Sequence, residues 1–183
     1  MNKAIFFDRD GVLIKTNVIN GKPYAVRTLE EFNILDDAYH IVNNFKSAGY
    51  LIFVITNQPD VGNGYVMQKT VEDMHNLLTK ALPLDAIAVC YHRQDFGCEC
   101  RKPKPGMILS LAKEFNVDLS FSILVGDRPQ DIDAGHRAGL FTVLINCNYK
   151  EEINITPHLV INKLSELTID SINMARLALN NNN

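Results

Sequence analysis

No apolar run in this chain of 183 residues is long enough to cross a bilayer. The longest, such as Leu51-Ile52-Phe53-Val54-Ile55, have the length of a strand. Positive charge is not in excess: the net charge is −3, which argues against a nucleic-acid partner and a polybasic membrane segment. The start, Lys3-Ala4-Ile5-Phe6-Phe7 followed by charged residues, lacks signal-peptide architecture, so a cytoplasmic location is expected. There is no Walker-type Gly-Lys-Ser/Thr, and Gly62-x-Gly64 is not a dinucleotide fingerprint. Neither a repeat nor a linker divides the chain. One domain over residues 1–179 is therefore expected, with 180–183 as a flexible tail.

What is present is an ordinary globular composition, 46% apolar and 21% charged. Residues 4–8 read as a strand and 12–35 as a loop-rich stretch. A helix begins at Asp36 with Asp36-Asp37 as its cap, places Ala38, Ile41, Val42, Phe45 and Ala48 on one face, and stops at Gly49. Strand 51–56 follows, then a helix over 68–81 with Val71, Met74, Leu77, Leu78 and Ala81 inward. After strand 86–91, Pro105 opens a helix that turns Ile108, Leu109, Leu111, Ala112 and Phe115 to the core. Strand 122–125, a short helix near 130–138, strand 141–145 and a last helix over 163–179 complete the chain. Strands apolar on both faces, alternating with helices, predict an α/β fold: a Rossmann-like parallel sheet with helices on both sides.

In such sheets ligands bind beyond the carboxyl ends of the strands. Polar residues stand at three of those ends: Asp8 and Asp10, Thr56 and Asn57, and Asp127. Carboxylates converging on one edge repel unless a cation joins them, and an all-oxygen set suits Mg²⁺ with a phosphate. Separately, Cys90-x-His92 and Cys98-x-Cys100 bring three thiols and an imidazole into eleven residues. In a cytoplasmic chain this reads as a closed Cys₃His set for structural Zn²⁺. Cys147 stands apart and reads as a small buried side chain.

Asp8-Arg9-Asp10-Gly11, Thr56-Asn57, Lys102 and Gly126-Asp127-Arg128-Pro129-Gln130-Asp131 resemble the four ordered motifs of the haloacid-dehalogenase-like phosphatases. The resemblance covers residues 4 to about 146. It implies that Asp8 attacks phosphorus and that Asp10 protonates the leaving oxygen and then activates water. It implies that Thr56 and Asn57 hold phosphoryl oxygens, with Gln58 and Arg128 among the substrate contacts, that Lys102 neutralises the developing charge and that Arg101 clamps a substrate oxyanion. The Asp8 carboxylate, the Asp10 carbonyl and Asp127 would bind Mg²⁺, with Asp131 orienting them from behind.

The Cys/His loop runs directly into Arg101-Lys102-Pro103-Lys104-Pro105-Gly106. That combination resembles the zinc-containing branch of the family, which includes heptose-bisphosphate and histidinol-phosphate phosphatases. Only 45 residues lie between Asp10 and Thr56, and 45 more before Lys102, which leaves no room for a large cap domain. The branch implies a monomeric enzyme for a small phosphorylated metabolite, with heptose 1,7-bisphosphate foremost. Histidinol phosphate and a polynucleotide 3′-phosphate are the alternatives, as is a non-catalytic binding module. Two departures stand out. Pro59-Asp60-Val61-Gly62-Asn63-Gly64 places Asn63 where the branch has arginine, and Arg128 replaces its more usual lysine.

Overall fold

The computed structural model describes residues 1–152 and 154–181. Strands β1 (Ala4–Phe7), β2 (Asn17–Ile19) and β3 (Lys22–Tyr24) precede helix α1 (Asp36–Ser47). Then come β4 (Leu51–Asn57), α2 (Pro59–Gly62), α3 (Gln68–Ala81), β5 (Ala86–Cys90) and α4 (Gly106–Glu114). The chain finishes with β6 (Ile123–Gly126), α5 (Pro129–Ala138), β7 (Phe141–Ile145), β8 (Leu159–Ile161) and α6 (Ile169–Asn181). Six strands form one sheet in the order β5-β4-β1-β6-β7-β8, and every pairing is parallel. This is the predicted α/β sheet, with no large cap.

Two-residue periodicity sends alternate strand side chains into two cores. Ile5 and Phe7 of β1, with Ile52 and Val54 of β4, meet α1 and α3 through Ile41, Phe45, Met74 and Leu78. Ala4, Phe6, Phe53 and Ile55 face the other side, against Ile108 and Leu111 of α4 and Ala134 of α5. Phe6, Phe7, Phe53 and Ile55 are wholly buried, and each such side chain contributes about 1.5–3 kcal/mol by leaving water. Among the described residues no helix is long and apolar enough to cross a membrane.

Several local expectations need correction. The stretch read as loop contains the antiparallel hairpin β2–β3, and β8 was not anticipated. Asp36 and Asp37 lie inside the first turn of α1; Leu35 is the cap residue and no side chain caps it. Pro105 likewise precedes α4 rather than occupying its first turn. Leu77 and Leu109 are exposed, because the buried stripes run through Val71, Met74, His75 and Leu78, and through Met107, Ile108, Leu111 and Ala112. The last helix starts at Ile169, after a short 3₁₀ turn at Leu164–Glu166. It continues through Asn181, into the stretch read as tail; 182–183 lie outside the described residues.

Candidate active site and metal sites

Central β1 lies between β4 and β6, so the carboxyl ends of these three strands open on one edge. Asp8 follows β1 directly, and its backbone N–H donates to Val125 O at 2.9 Å. The Lys102 ammonium lies 2.9 Å from Asp8 Oδ1 and 2.6 Å from Asp131 Oδ1, and donates to Ile55 O at 2.9 Å. Burial opposes its charge, but Asp131 and Asp8 outweigh burial and hold Lys102 more basic than a free lysine.

Asp127, after β6, completes the cluster: carboxylate oxygens of Asp8, Asp127 and Asp131 lie within 4.8 Å of one another. Burial raises Asp8 to about 6 against the pull of Lys102, with Asp131 and Asp10 adding to the rise. Burial, then Asp8 and Asp131, raises Asp127 well above the usual carboxylate range. One ammonium against three carboxylates leaves the cluster short of positive charge. Asp127 Oδ2 accepts from the Tyr149 hydroxyl at 2.8 Å, while Oδ1 is buried without a hydrogen-bond partner. A hard divalent cation fits this set: it would use the orphan oxygen and offset the excess charge. Gly11 (φ +84°) permits the close turn, since a Cβ there would lie 1.9 Å from Asp127 Oδ2.

Asp10 is turned away from that trio. Its oxygens accept from Arg9 Nε (3.0 Å) and Nη2 (3.2 Å), from Gln58 Nε2 (2.9 Å) and from the Val26 N–H (3.3 Å). Only its carbonyl is left for the metal role the resemblance implies. Asp131 is used from both sides, by Lys102 and by the Arg128 N–H at 3.0 Å, which suits an orienting role.

Asn57 and Gln58, expected as substrate contacts, each hydrogen-bond within the protein. The Asn57 carboxamide is committed at both ends to the Lys102 backbone, donating to its carbonyl and accepting from its N–H, each at 3.1 Å. Gln58 is buried and spans Asp10 and the Thr56 hydroxyl, at 2.9 Å from each. The Thr56 hydroxyl accepts from Gln58, and Thr56 and Asn57 both line the cavity beside Asp8.

The edge opens into a cavity of about 610 Å³ whose lining includes Asp8, Asp10, Thr56, Arg101 and Arg128. Lys22 of the hairpin and Arg27 contribute as well, neither singled out from sequence. Arg27 Nε pairs with Asp60 Oδ2 at 2.7 Å, and its guanidinium lies 5.2 Å from the Tyr65 ring centroid. Asn63, also on the wall, donates to Gln94 Oε1 at 3.1 Å. Arg128 forms a two-pronged pair with Glu151, at 3.0 and 2.5 Å. Lys22 and Arg101 have no ion-pair partner among the described residues, and Arg101 Nη1 is buried without a hydrogen bond. Tyr149 and Glu151 follow β7, so the strand-end rule that found Asp127 was capable of finding them.

The Cys/His group assembles as the spacing predicts. Cys90 Sγ lies 3.6 Å from both Cys98 Sγ and His92 Nδ1, and Cys100 Sγ lies 3.5 Å from Cys98 Sγ and 3.3 Å from His92 Nδ1. All four cysteines are free thiols. A tetrahedron with metal–sulfur bonds of about 2.3 Å has edges of about 3.8 Å, close to these separations. The group can therefore hold a metal ion with little rearrangement. Lys102 follows two residues after Cys100, so a metal here would anchor the loop that carries the active-site ammonium.

Comparison with known proteins agrees with this geometry. The HAD-hydrolase-like family model matches residues 99–167. D-glycero-alpha-D-manno-heptose-1,7-bisphosphate 7-phosphatase of Burkholderia mallei is 35% identical over 159 residues, covering 80% of this chain and 81% of that protein. The corresponding beta-heptose enzyme of Pasteurella multocida is 37% identical over 157 residues, covering 79% and 82%. Among solved structures, the D,D-heptose 1,7-bisphosphate phosphatase of B. bronchiseptica, complexed with magnesium and phosphate, superposes with a TM-score of 0.75. It is 26% identical, over 98% of this chain and 99% of that one. The chain thus belongs to the heptose-bisphosphate phosphatase family of HAD-like hydrolases and is a phosphoric monoester hydrolase.

Proposed function

We propose that this chain removes the 7-phosphate of D-glycero-D-manno-heptose 1,7-bisphosphate through an aspartyl phosphate on Asp8. One juxtaposition carries the reading: Asp8 lies between the buried Lys102 ammonium and the orphan Asp127 oxygen, at the mouth of a cavity whose wall carries Lys22 and Arg101. An Asp8 oxygen attacks phosphorus as the sugar oxygen departs, and Asp10 supplies that oxygen with a proton. Asp10 then takes a proton from water as water attacks the aspartyl phosphate, which releases phosphate and restores the Asp8 carboxylate and the Asp10 acid. The Thr56 hydroxyl and Lys102 oppose charge on the phosphoryl oxygens. Bound Mg²⁺, held by Asp8, Asp127 and the Asp10 carbonyl, would supply the cation that lets anionic nucleophile and phosphate approach. Arg101 and Lys22 suit the second phosphate of such a substrate, being cations on the wall without carboxylate partners.

The test is phosphate release with magnesium against both heptose 1,7-bisphosphate anomers, histidinol phosphate, other sugar phosphates and a 3′-phosphorylated oligonucleotide. A heptose bisphosphate should lead in kcat/KM by about tenfold or more, a discrimination that one additional charged contact supplies. Preference for histidinol phosphate or the oligonucleotide would reject the assignment.

Magnesium should also leave a pH signature. Asp8 sits at about 6 against an ordinary 3.8, and Asp127 is raised too, so the metal-free fold holds protons that the unfolded chain does not. This contribution to stability is therefore present at low pH and lost as pH rises through about 6. Mg²⁺ needs the same carboxylates deprotonated. The rise in Tm that magnesium causes should be small at about pH 5 and several degrees larger at about pH 7.5. A larger rise at the acid end would contradict this.

For the Cys₃His group we infer structural zinc, since four protein ligands leave no open position for chemistry. Purified protein should carry about one Zn²⁺ per chain. Cys98→Ser should lose the metal, lower Tm and slow turnover by loosening the loop that bears Arg101 and Lys102. Full activity in a metal-free preparation with Cys98 freely alkylated would rule the clip out.

A further inference from the structure

Behind Asp10 runs a buried line of polar contacts that the reaction as described does not use. Arg9 is wholly buried, and a buried guanidinium is tolerable only when its donors are met. Nε and Nη2 are met by Asp10 in a two-pronged pair. Nη1 points the other way, into α3, where it lies 3.1 Å from His75 Nε2 and 3.9 Å from Met74 Sδ.

Guanidinium nitrogens only donate, so His75 Nε2 must accept and the ring proton must reside on Nδ1. The surroundings agree. His75 is buried in the inward stripe of α3, and burial together with Arg9 lowers it to about 4, which keeps the imidazole neutral near pH 7. The guanidinium is planar, so fixing Nη1 on one side fixes the plane from which Nε and Nη2 grip Asp10 on the other. Gln58 and the Val26 N–H complete the grip. Without an acceptor at position 75, Arg9 would keep a buried N–H unmet and would gain freedom to rotate.

We propose that His75 is a positioning residue for the acid–base carboxylate Asp10, acting through Arg9. The proposal rests on the reading of Asp10 as the group that protonates the leaving oxygen. It makes α3 the element that sets the angle of the acid. His75 touches neither phosphate nor metal ligand in this role.

The test separates positioning of an acid from general support of the fold. An aryl phosphate such as p-nitrophenyl phosphate expels a stable phenolate and needs little proton donation, whereas an alkyl sugar phosphate needs it in the step that kcat/KM reports. In His75→Leu, kcat/KM for the best sugar phosphate should fall about 10- to 100-fold, and for the aryl ester less than about 3-fold. His75→Gln, whose side-chain oxygen reaches toward Nη1, should recover sugar phosphate activity to within about 3-fold of wild type. If His75→Leu does not fold, His75→Asn, polar but too short, takes its place with the same expectation. An equal loss on both esters, or no loss on either, would overturn the role. Wild-type protein that hydrolyses neither ester would instead defeat the phosphatase reading itself, so the two failures are distinguishable.

Discussion

Asp8→Asn is expected to slow phosphate release by about 10⁴-fold or more while leaving fold and zinc content unchanged, as loss of a covalent nucleophile does. The amide is nearly the size of the carboxylate, so the packing around β1 survives. It is a poor nucleophile, however, and carries no charge for Mg²⁺. Burial is the main cause that raises Asp8, and removal of this carboxylate also relieves its repulsion with Asp131 and Asp127. The inactive variant should therefore be as stable as wild type or more so when magnesium is absent. A thermal melt beside the activity assay checks both halves. Activity within tenfold of wild type would remove Asp8 from its assigned role.

Lys102→Met should damage both activity and stability. The ammonium is buried against Asp8 and Asp131 and held by Ile55 O, so the substitution strands two carboxylates in a dry site. Breaking a buried pair in this way costs about 3–5 kcal/mol. In a domain of this size that lowers Tm by on the order of 10 °C. The sign of the pH dependence follows from the carboxylates. Without Lys102 the Asp8 carboxyl rises further, so protonation relieves the defect and the gap to wild type should narrow as pH falls. Saturating Mg²⁺ should restore part of the stability but not turnover, because the cation that faces the phosphoryl oxygens is gone. A uniform deficit across pH would instead point to lost packing by the lysine stem.

The parts of this molecule readable in sequence share a physical origin. Period-two strands and period-3.6 helices put Asp8, Thr56 and Asp127 on one edge, because a parallel sheet aligns its carboxyl ends. The helix over 68–81 matched α3 to the residue, since its apolar stripe is long and uninterrupted. The thiol and imidazole spacing gathered a compact ligand set for the same local reason. What escaped was set by tertiary contact. Hairpin β2–β3 is solvent-exposed along most of its length, so it carries no alternating apolar pattern, although it places Lys22 on the cavity wall. Asn57 and Gln58 are polar neighbours of Thr56, and nothing in their order reveals that both support other residues. Nothing in the helical spacing around His75 sets it apart, whereas its contact with Arg9 does. Asn63 shares its cavity wall with Lys22, Arg27 and Arg101, and Arg27 is paired with Asp60 of the altered loop.

The most direct test of the account is to quench the enzyme in acid during turnover of its best substrate and locate any bound phosphoryl group by peptide mass spectrometry. The mechanism predicts phosphate on the peptide holding Asp8, absent in Asp8→Asn and labile to alkali. A phosphoryl group on any other residue, or none when Asp10→Asn is given an aryl phosphate whose departure needs little proton donation, would contradict it.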